Sequence, residues 1–600
     1  MATFKPISNE MATKLHFSPR PNRAAEIRWR DWDSAAFDEA TAQGKPVLLA
    51  ISAVWCHWCH VMDETTYSDP GVIELVNERF VPIRVDNDQR PDVNTRYNMG
   101  GWPTTVVLTG EGEILKGGTY IPPEAMRGFL EQVSKIYAEP ANRLDMAQRI
   151  RDLKAKRSEV RPQPKGELSL EPVQYVAAAL SEAFDDDFGG FGTEPKFPQV
   201  ETLHFLLDYW TRSRDGRAQT MVQMTLRGMA GGGMYDHVEG AFFRYSTTRD
   251  FSVPHFEKML EDLAGLMLAC ARAGALFGDV SLSKVAVDCR RYLDATLWNA
   301  EHGAYGGSQD ADEAYYALDA EARKAKTRPY VDPIIYTSWN AEMARALILS
   351  GPLLGNVGVD AREWIERGVS LLEMLWSKSH ADGLMVRYYD GAAHLRGLLG
   401  DQAWSMNAAL AAFSATGELV WLDRALSLLE ATRALYDEEL GGYLDRLPDP
   451  QEPGRVSERV TPLVENSLMA RALLDCAALN GEGRFEERAR AVLARFISTY
   501  KRMGVFAAGF ASAVLHALEP PIDVKIAGSA DAVRPLRDAA LRVAAPAVRV
   551  NTVEARDAER LAKLDVASSD GPLALLCRGT TCFAKIESVD ELLPALSHAR

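Results

Sequence analysis

A Cys-x-x-Cys pair follows directly on an apolar stretch near the start of this chain. Cys56-His57-Trp58-Cys59-His60 comes after Val47-Leu48-Leu49-Ala50-Ile51, a run with strand character. Further on, Gly100-Gly101-Trp102-Pro103 precedes a second apolar run, Thr104-Thr105-Val106-Val107-Leu108. Two cysteines one helical turn apart can close a small disulfide, and amide groups at a helix start stabilise the thiolate of the first. The pattern therefore predicts a strand, a dithiol and a helix, in that order.

This order of elements is typical of a thioredoxin-like fold, in which the proline before the second strand is commonly cis and faces the disulfide. We predict Cys56 as the nucleophile, Cys59 as the resolving thiol and Pro103 as a substrate-contacting residue. C-x-x-C-H also matches a c-type haem attachment motif, and cysteine and histidine are zinc ligands. Both alternatives stay open, although haem attachment normally needs export and no second pair of zinc ligands is apparent.

A carboxylate often lies buried on the strand below the cysteines in oxidoreductases of this class. Here the corresponding strand position, six residues before Cys56, is Ala50. Asp63 and Glu64 follow the motif and are interpreted as solvated helix residues. The sequence thus favours the fold more strongly than the redox activity.

Composition excludes several classes of protein. The hydrophobic content of 47% and charged content of 25% are ordinary for a globular protein. The net charge of −16 argues against a nucleic-acid partner or an anionic membrane surface. No apolar run has the length of a membrane span and no secretory signal is apparent, so we expect a cytoplasmic protein. We expect no cofactor and no metal.

The chain divides into segments of different character, and the predicted fold class is multidomain. We predict an α/β thioredoxin-like domain over 1–140, a charged helical linker over 141–166, an all-α region over 167–519 and a small α/β module over 520–600. Pro520-Pro521 opens the last segment, where short strand-like runs replace the helical period. Cys577 and Cys582 lie there, and we expect a reduced pair at a strand–turn–strand, with a disulfide as the alternative.

The all-α region carries a repeat. Its helix-period segments are 172–186, 199–213, 217–231, 256–278, 281–299, 338–352, 360–380, 401–415, 419–437, 463–480, 485–503 and 508–518. Odd-numbered segments mostly end in an aromatic residue and then a glycine that could cap the helix, and long connections alternate with short ones. The pattern predicts six helical hairpins closed into an (α/α)6 toroid, with an irregular helical array as the alternative. Cys270, Cys289 and Cys476 lie on apolar helix faces and are predicted to be core residues.

The long connections are rich in acids, histidines and aromatic rings, which suit a sugar-like polyol ligand. We predict His255 and Glu257 as an acid/base pair at the entrance to a helix. Further predicted catalytic residues are Asp236, His237 and Asp310. The predicted substrate-binding residues of the toroid are Tyr235, Arg244, Asp312, Trp339, Asn340, Asp401 and Trp404. The alternative is that these groups cap helices and brace loops.

Several stretches resemble thioredoxin domain-containing proteins of the spermatogenesis-associated protein 20 family. They are Cys56-His57-Trp58-Cys59-His60-Val61-Met62, Arg90-Pro91-Asp92-Val93, Gly100-Gly101-Trp102-Pro103, Gly117-Gly118-Thr119-Tyr120, Pro195-Lys196-Phe197-Pro198, Val253-Pro254-His255-Phe256-Glu257-Lys258-Met259-Leu260 and Ser338-Trp339-Asn340. The resemblance implies a thioredoxin-like domain joined to a six-hairpin glycosidase-like toroid. That toroid is related in shape to N-acylglucosamine 2-epimerases and cellobiose epimerases.

Three hypotheses of function follow. The first is a dithiol domain, with a thiol or disulfide protein partner, fused to a carbohydrate-binding or carbohydrate-converting toroid. The second is a non-catalytic scaffold or chaperone-like protein with a vestigial redox motif. The third is a thiol–disulfide oxidoreductase whose toroid is structural.

Overall fold

The computed structural model describes residues 15–158, 166–543, 548–567, 571–579 and 581–598. The chain forms two compact units, which we call the first and the second unit. The first comprises residues up to 161 together with 448–459, and the second comprises 162–447 together with 460–600. Among the described residues, no helix combines the length and the apolar character that crossing a bilayer requires.

The first unit is a four-stranded sheet with helices on both faces. Its elements are α1 (Ser34–Gln43), β1 (Val47–Ser52), α2 (His57–Glu64), α3 (Pro70–Arg79), β2 (Val81–Asp86), α4 (Pro91–Tyr97), β3 (Thr104–Leu108), β4 (Ile114–Gly118), α5 (Pro123–Ala138) and α6 (Pro140–Ser158). The strand order is β2-β1-β3-β4, with β1 parallel to β2 and antiparallel to β3. This is the predicted thioredoxin-like architecture.

Strand β1 is buried along its whole length because alternate residues serve different cores. Leu49 packs in a cluster with Phe37 of α1 and Tyr97 of α4. Leu48 faces the other way, in a cluster that includes Val72 of α3 and Leu130 of α5. The all-apolar run at 47–51 is therefore a strand, as predicted, and it is a central strand with two covered faces.

A segment from late in the chain completes the first unit. Residues 448–459 lie within the predicted all-α region but pack in this unit. Val456 joins the cluster around β1, and the Arg455 amide donates a 2.7 Å hydrogen bond to the Tyr97 hydroxyl. Arg90 forms a 2.6 Å ion pair with Glu452. Nothing in the local pattern of these residues distinguishes them from an ordinary loop.

The second unit is mostly helical. Its helices up to residue 519 are α7 (Glu171–Ala183), α8 (Val200–Ser213), α9 (Gly216–Gly231), α10 (Leu260–Phe277), α11 (Val280–Tyr292), α12 (Glu313–Tyr316), α13 (Ala320–Lys324), α14 (Thr337–Ser350), α15 (Ala361–Lys378), α16 (Leu399–Thr416), α17 (Leu419–Ala431), α18 (Leu463–Asn480), α19 (Gly483–Phe496) and α20 (Ala508–Leu518). Between residues 166 and 519, which are described without a gap, twelve of these helices are long, as predicted.

Six helices form a closed inner ring. In ring order α8, α10, α14, α16, α18 and α20 each contact the next, and α20 contacts α8 again. The outer helices α7, α9, α11, α15, α17 and α19 pack against this ring. Long connections precede the inner helices and short ones follow them, so the long connections lie at one end. The region is an (α/α)6 toroid, and the alternative of an irregular array is excluded.

Short antiparallel strands occupy the long connections. They are β5 (Tyr235–Asp236), β6 (Ala241–Phe242), β7 (Tyr245–Ser246), β8 (Pro254–His255), β9 (Lys258–Met259), β10 (Trp298–Asn299), β11 (Ala304–Tyr305), β12 (Ser308–Gln309), β13 (Ile335–Tyr336), β14 (His380–Ala381), β15 (Leu384–Tyr389), β16 (Ala393–Arg396), β17 (Tyr436–Asp437) and β18 (Gly442–Tyr443). They correct one prediction. Gly303 and Gly441, expected to cap helices, instead turn the ribbons β10–β11 and β17–β18 in the left-handed region.

The C-terminal part of the second unit is a small α/β module. Its elements are β19 (Ile522–Gly528), α21 (Ala530–Leu541), β20 (Val548–Glu554), α22 (Ala558–Lys563), β21 (Leu573–Arg578), β22 (Thr581–Ile586) and α23 (Val589–His598), with strand order β20-β19-β21-β22. Cys577 and Cys582 form a disulfide across β21 and β22, which corrects the expectation of a reduced pair. Cys270, Cys289 and Cys476 are buried, as predicted.

Buried amide side chains fasten the connections to the inner helices. In α18, the Asn466 side chain accepts a 2.8 Å hydrogen bond from the Tyr443 amide and donates 2.8 Å bonds to the carbonyls of Tyr443 and Pro462. Asn340 makes the same contacts in α14, with Tyr305 and Tyr336. A strand-ending tyrosine is thus held in two repeats by an equivalent asparagine.

We expect Asn466→Ala to destabilise the second unit by about 2–4 kcal/mol, because the buried amide and carbonyl of Tyr443 lose their partner and the Pro462 carbonyl loses one of its two donors. Urea unfolding followed by circular dichroism measures the change. Asn480→Ala at the end of the same helix is the control, since its amide contacts Glu482 at the surface. A loss for Asn466→Ala no larger than for the control would contradict the clamping role.

Candidate functional sites

The dithiol lies where β1 meets α2. Cys56 is the N-cap residue of α2, and its sulfur accepts a 3.1 Å hydrogen bond from the Cys59 amide. The two cysteines form a disulfide with their Cα atoms 5.2 Å apart. The Trp102–Pro103 bond is cis, as predicted. An amide donor and the positive end of a helix dipole therefore act on the Cys56 sulfur.

Aromatic side chains flank this site. Trp58, between the two cysteines, is 49% exposed and packs against Tyr120 with ring centroids 5.3 Å apart. Trp55 and Trp102 meet edge to face at 5.6 Å, and the Trp55 indole donates a 2.7 Å hydrogen bond to buried Asp88. Near the disulfide there are therefore one exposed ring, Trp58, and a pair made of buried Trp55 and partly buried Trp102.

Asp63 corrects a prediction. It is fully buried, not solvated, and its carboxylate forms a 2.7 Å ion pair with Arg84. Arg84 is the β2 neighbour of Ala50, so the position below the cysteines holds a guanidinium with a carboxylate supplied by α2. His60, on the same helix, is neutral because burial, with a contribution from His16, lowers its pKa to about 4. Spacing in the sequence does not predict an ion pair between side chains of two different secondary-structure elements.

Asp236 forms a turn that recurs in other repeats of the toroid. The Asp236 carboxylate accepts a 3.1 Å hydrogen bond from the Val238 amide, and its carbonyl accepts one from Gly240. Asp185, Asn299 and Asp437 make the same two kinds of bond in other repeats. An Asx side chain that turns the chain in four repeats is a structural device.

The other oxygen of Asp236 lies in a buried ion cluster. Lys258 and Arg323 each donate to it at 2.7 Å, and Glu239 lies 3.2 Å from the Lys258 ammonium. Burial by itself would raise the pKa of Asp236. The two cations outweigh this effect and lower the pKa to about 2. Asp185 is paired in the same way with buried Lys196 at 2.6 Å. The geometry supports a bracing role for Asp236, in place of the predicted catalytic one.

His255 and Glu257 contact each other, neither lies in a helix, and their acid/base role stays a prediction. The His255 ring nitrogen Nδ1 hydrogen-bonds the Glu257 carboxylate, and the ring stacks on Tyr245 at 4.9 Å. Glu257 is 1% exposed. Helix α10 begins at Leu260, not 256, because β9 pairs with β12 and keeps the preceding backbone extended.

The remaining predicted residues are distributed over the loops. Asp312 caps α12, Asp310 accepts a 2.8 Å bond from the Ala311 amide, and the exposed His237 ring lies 3.1 Å from a carbonyl oxygen. Tyr235 is buried against Phe242, and its burial raises its pKa well above the usual value. Arg244 is half-buried, and its amide donates to the Glu257 carbonyl.

Asp401 and Trp339 belong to one cluster at the start of two inner helices. The Asp401 carboxylate accepts a 3.0 Å bond from the Ser338 amide and lies 3.4 Å from Arg387, whose guanidinium lies 5.6 Å from the Trp339 ring. Burial nevertheless raises the pKa of Asp401 to about 6. Asn340 is the clamp described above. Most of the predicted residues are therefore engaged with neighbouring side chains or backbone groups of the loops.

A cavity at the axis of the toroid was not predicted. It encloses about 790 Å³, counting space open to solvent. Residues from all six inner helices line it: Glu201, His204, Leu268, Arg272, Arg345, Leu349, Leu353, Trp404, Asn407, Val464, Ser467, Leu468, Arg471, Gly509 and Ser512. Trp404 alone among the predicted site residues lies in this set, for the part of the chain described here. The sequence feature that could have indicated this cavity is a set of polar residues one turn apart on otherwise apolar helices.

Carboxyl groups gather at the mouth of this cavity. Glu201 is open to the cavity, yet the surrounding protein desolvates it and, with Glu465 nearby, raises its pKa to about 7. Burial, Glu261 and Glu201 raise the pKa of Glu342 well above its usual value. Burial also raises the pKa of Asp262 to about 6, and Glu257 contributes to that shift. Carboxyls that hold protons near neutral pH can serve as general acids or bases.

These shifts make stability depend on pH. The folded-state pKa of Glu201, about 7, exceeds the ordinary value of 4.5, so its proton stabilises the fold fully below pH 4.5. That stabilisation is lost as the pH rises through 7. We expect Glu201→Gln to flatten the fall of Tm between pH 5 and 8, measured by calorimetry. Glu366→Gln on the exposed face of α15 is the control, and an unchanged slope for Glu201→Gln would refute the shift.

Comparisons with known proteins agree with this architecture. Residues 18–155 match the Thioredox_DsbH family model, described as a protein of unknown function, DUF255. Spermatogenesis-associated protein 20 of Homo sapiens is 37% identical over 310 residues, which cover 48% of this chain and 39% of that protein. The match thus spans well under half of that relative's length.

Two further likenesses each cover part of the chain. The thiol:disulfide interchange protein DsbD of Pseudomonas fluorescens is 31% identical over 80 residues, 13% of this chain and 14% of that protein. Cellobiose 2-epimerase of Spirochaeta thermophila is 14% identical with a TM-score of 0.47, covering 61% of this chain and 96% of that chain. The chain thus has a segment that matches the Thioredox_DsbH family model and is similar to spermatogenesis-associated protein 20 over 48% of its length, a resemblance that its motifs predicted.

Proposed function

We propose that the first unit catalyses thiol–disulfide exchange. The supporting observation is the Cys56 sulfur at the N-terminus of α2, hydrogen-bonded to the Cys59 amide and within bonding distance of the second sulfur. In the reduced state the Cys56 thiolate attacks a substrate disulfide and forms a mixed disulfide. The Cys59 thiolate then displaces the substrate as a dithiol, leaving the Cys56–Cys59 bridge, which an external thiol reduces.

The partner in this proposal is a disulfide-bonded protein or peptide. Exposed Trp58 beside Tyr120 offers apolar surface next to the sulfurs, where an extended substrate segment can pack. The name of the DsbD relative, a thiol:disulfide interchange protein, is consistent with this chemistry. A cytoplasmic location, predicted from the sequence, belongs to the same proposal because reducing thiols there would regenerate the dithiol.

Cysteine variants test the exchange reaction. We expect Cys56→Ser to lower the rate of reduction of a disulfide-bonded peptide, with dithiothreitol as electron donor, by about 100-fold or more. Cys59→Ser should accumulate a mixed disulfide with the peptide, detectable by mass spectrometry, because the resolving step is lost. The double variant Cys577→Ser, Cys582→Ser removes the other disulfide and should keep full activity. Full activity in Cys56→Ser would end the proposal.

We also infer that the axial cavity of the toroid binds a small polyol. The supporting observation is a lining that combines the Trp404 ring, the Asn407 amide and the Ser467 hydroxyl with the proton-holding carboxyl of Glu201. Aromatic faces hold sugar rings, and amides and hydroxyls hold their hydroxyl groups. Glu201 is the proposed acid/base, since its pKa lies near neutrality.

The His255–Glu257 pair remains a second candidate for proton transfer. Glu257 contributes to the raised pKa of Asp262, and Asp262 contributes to that of Glu342, a neighbour of Glu201. The pair is therefore coupled electrostatically to the carboxyls at the mouth. Because Glu257 is buried and already hydrogen-bonded to His255, the pair is a weaker acid/base candidate than Glu201.

A ligand screen and two variants separate these roles. We expect calorimetry with neutral and acidic sugars to detect binding that Trp404→Ala weakens by about 10-fold, because a stacking face is lost. For any ligand that is turned over, Glu201→Gln should lower kcat by about 100-fold and Glu257→Gln by far less. Binding insensitive to Trp404→Ala would contradict a ligand in the axial cavity, and no binding of any sugar would leave the toroid a scaffold. The reverse order of the two glutamates would move the acid/base role to His255–Glu257.

A further inference from the structure

Arg345 occupies the middle of the toroid. It lines the axial cavity and also a second cavity of about 800 Å³, counting open space, whose lining includes residues of the C-terminal module such as Leu541 and Val548. Leu349, Asn407 and Arg471 line both spaces too. The two cavities therefore meet at this level of the inner helices.

Arg345 has no hydrogen-bond or ion-pair partner among the described residues, in contrast to the other arginines around it. Asp208 accepts a 2.6 Å bond from Arg272 and lies 3.7 Å from Arg471. Asp475, deeper in the second cavity, is paired with Arg549 at 3.0 Å. Asp208 and Asp475 thus already form ion pairs with arginines other than Arg345.

The remaining titratable groups form no ion pair with Arg345 among the described residues, although Asp475 and Glu342 act on it electrostatically. Glu342, one turn before it on α14, interacts with Arg345, but burial and its acidic neighbours Glu261 and Glu201 raise the pKa of Glu342 well above its usual value. His204 is neutral, since burial and Arg272 lower its pKa to about 3, and it accepts a hydrogen bond from Arg272. Burial together with Arg471 and Arg272 lowers the pKa of Arg345 itself to about 10, so it remains charged at neutral pH.

We propose that the axial cavity takes an anionic polyol, whose carboxylate or phosphate group binds Arg345 between Arg272 and Arg471. This inference rests on the proposed ligand-binding function of the cavity. It narrows the ligand class from sugars in general to acidic sugars and sugar phosphates. The polyol portion extends from Arg345 toward Trp404 and Glu201 at the mouth.

The chemistry of the guanidinium supports this class. A planar guanidinium donates two parallel hydrogen bonds to a carboxylate or phosphate, and such charge-assisted bonds are stronger where water is scarce. A desolvated cation without a partner lowers the stability of the empty protein, and proteins retain such groups at binding sites. Neutral sugars offer no charge to compensate Arg345.

The first test needs no ligand and uses the full chain. Arg345→Met should raise Tm by about 1–3 °C, because it removes an unpaired desolvated charge. Arg272→Met should lower Tm, since it leaves buried Asp208 without its partner. Arg362→Met on the exposed face of α15 is the neutral control. A fall in Tm for Arg345→Met like that of Arg272→Met would show a structural arginine and overturn the proposal.

The second test compares matched ligands by calorimetry. We use glucose, glucuronate, glucose 6-phosphate and inorganic phosphate, with wild type, Arg345→Met and Arg362→Met. At least one of the anions should bind wild type about 10-fold or more tighter than glucose does, and Arg345→Met should abolish that advantage. Glucuronate binding in preference to the phosphates would assign a carboxylate ligand, and the reverse order a phosphate ligand.

The outcomes separate this inference from the function on which it rests. Binding of glucose that equals the anions and ignores Arg345→Met overturns the anionic class and leaves a polyol pocket standing. Arg345-dependent binding of inorganic phosphate without any sugar binding supports the anion site and removes the polyol. No Arg345-dependent binding of any anion overturns the inference.

Discussion

Contact between α20 and α8 closes the inner ring, and the rest of the second unit depends on that closure. Inner helices such as α10 are buried on nearly every side, with Leu263, Ala264, Gly265 and Leu266 all covered in succession. An open array would leave apolar surface of the terminal helices in water. Closure covers that surface, and it also creates an axis where six helices meet without filling the space.

Most of the residues that recur from repeat to repeat form turns. Asp185, Asp236, Asn299 and Asp437 occupy the same place in four connections, each accepting backbone amides and each followed by a glycine four residues later. A connection that recurs needs the same turn each time, so the same side chain recurs. Acids at corresponding points of the repeats therefore report backbone geometry. The cavity instead uses residues that differ from one helix to the next.

The two units use their charged groups in different ways. In the first unit the charge below the cysteines is neutralised internally by the Asp63–Arg84 pair, which leaves the helix dipole and the Cys59 amide to act on Cys56. In the second unit the pairing is incomplete at the axis: the pKa values of Glu201 and Glu342 are raised, and Arg345 has no ion-pair partner among the described residues. Unsatisfied groups of this kind mark sites that a ligand can complete.

Local patterns determined much of this protein. The apolar run before Cys56 predicted a strand, the proline at 103 predicted the cis bond, and the 3.6-residue period predicted twelve helices in six hairpins. Each of these depends on contacts between near neighbours in the chain. Helix ends were less predictable, because pairing of β9 with β12, some fifty residues apart, decided where α10 begins.

The site was decided by tertiary structure. Glu201, Arg345 and Arg471 lie far apart in the chain and become neighbours only when the ring closes. Their spacing in the sequence therefore could not predict the site. The same holds for Asp63, whose burial depends on Arg84 from another strand. The sequence by itself determined the secondary structure and the repeat, since these follow from local periodicity. Packing alone decided which polar groups are left without partners, because that depends on every element around them.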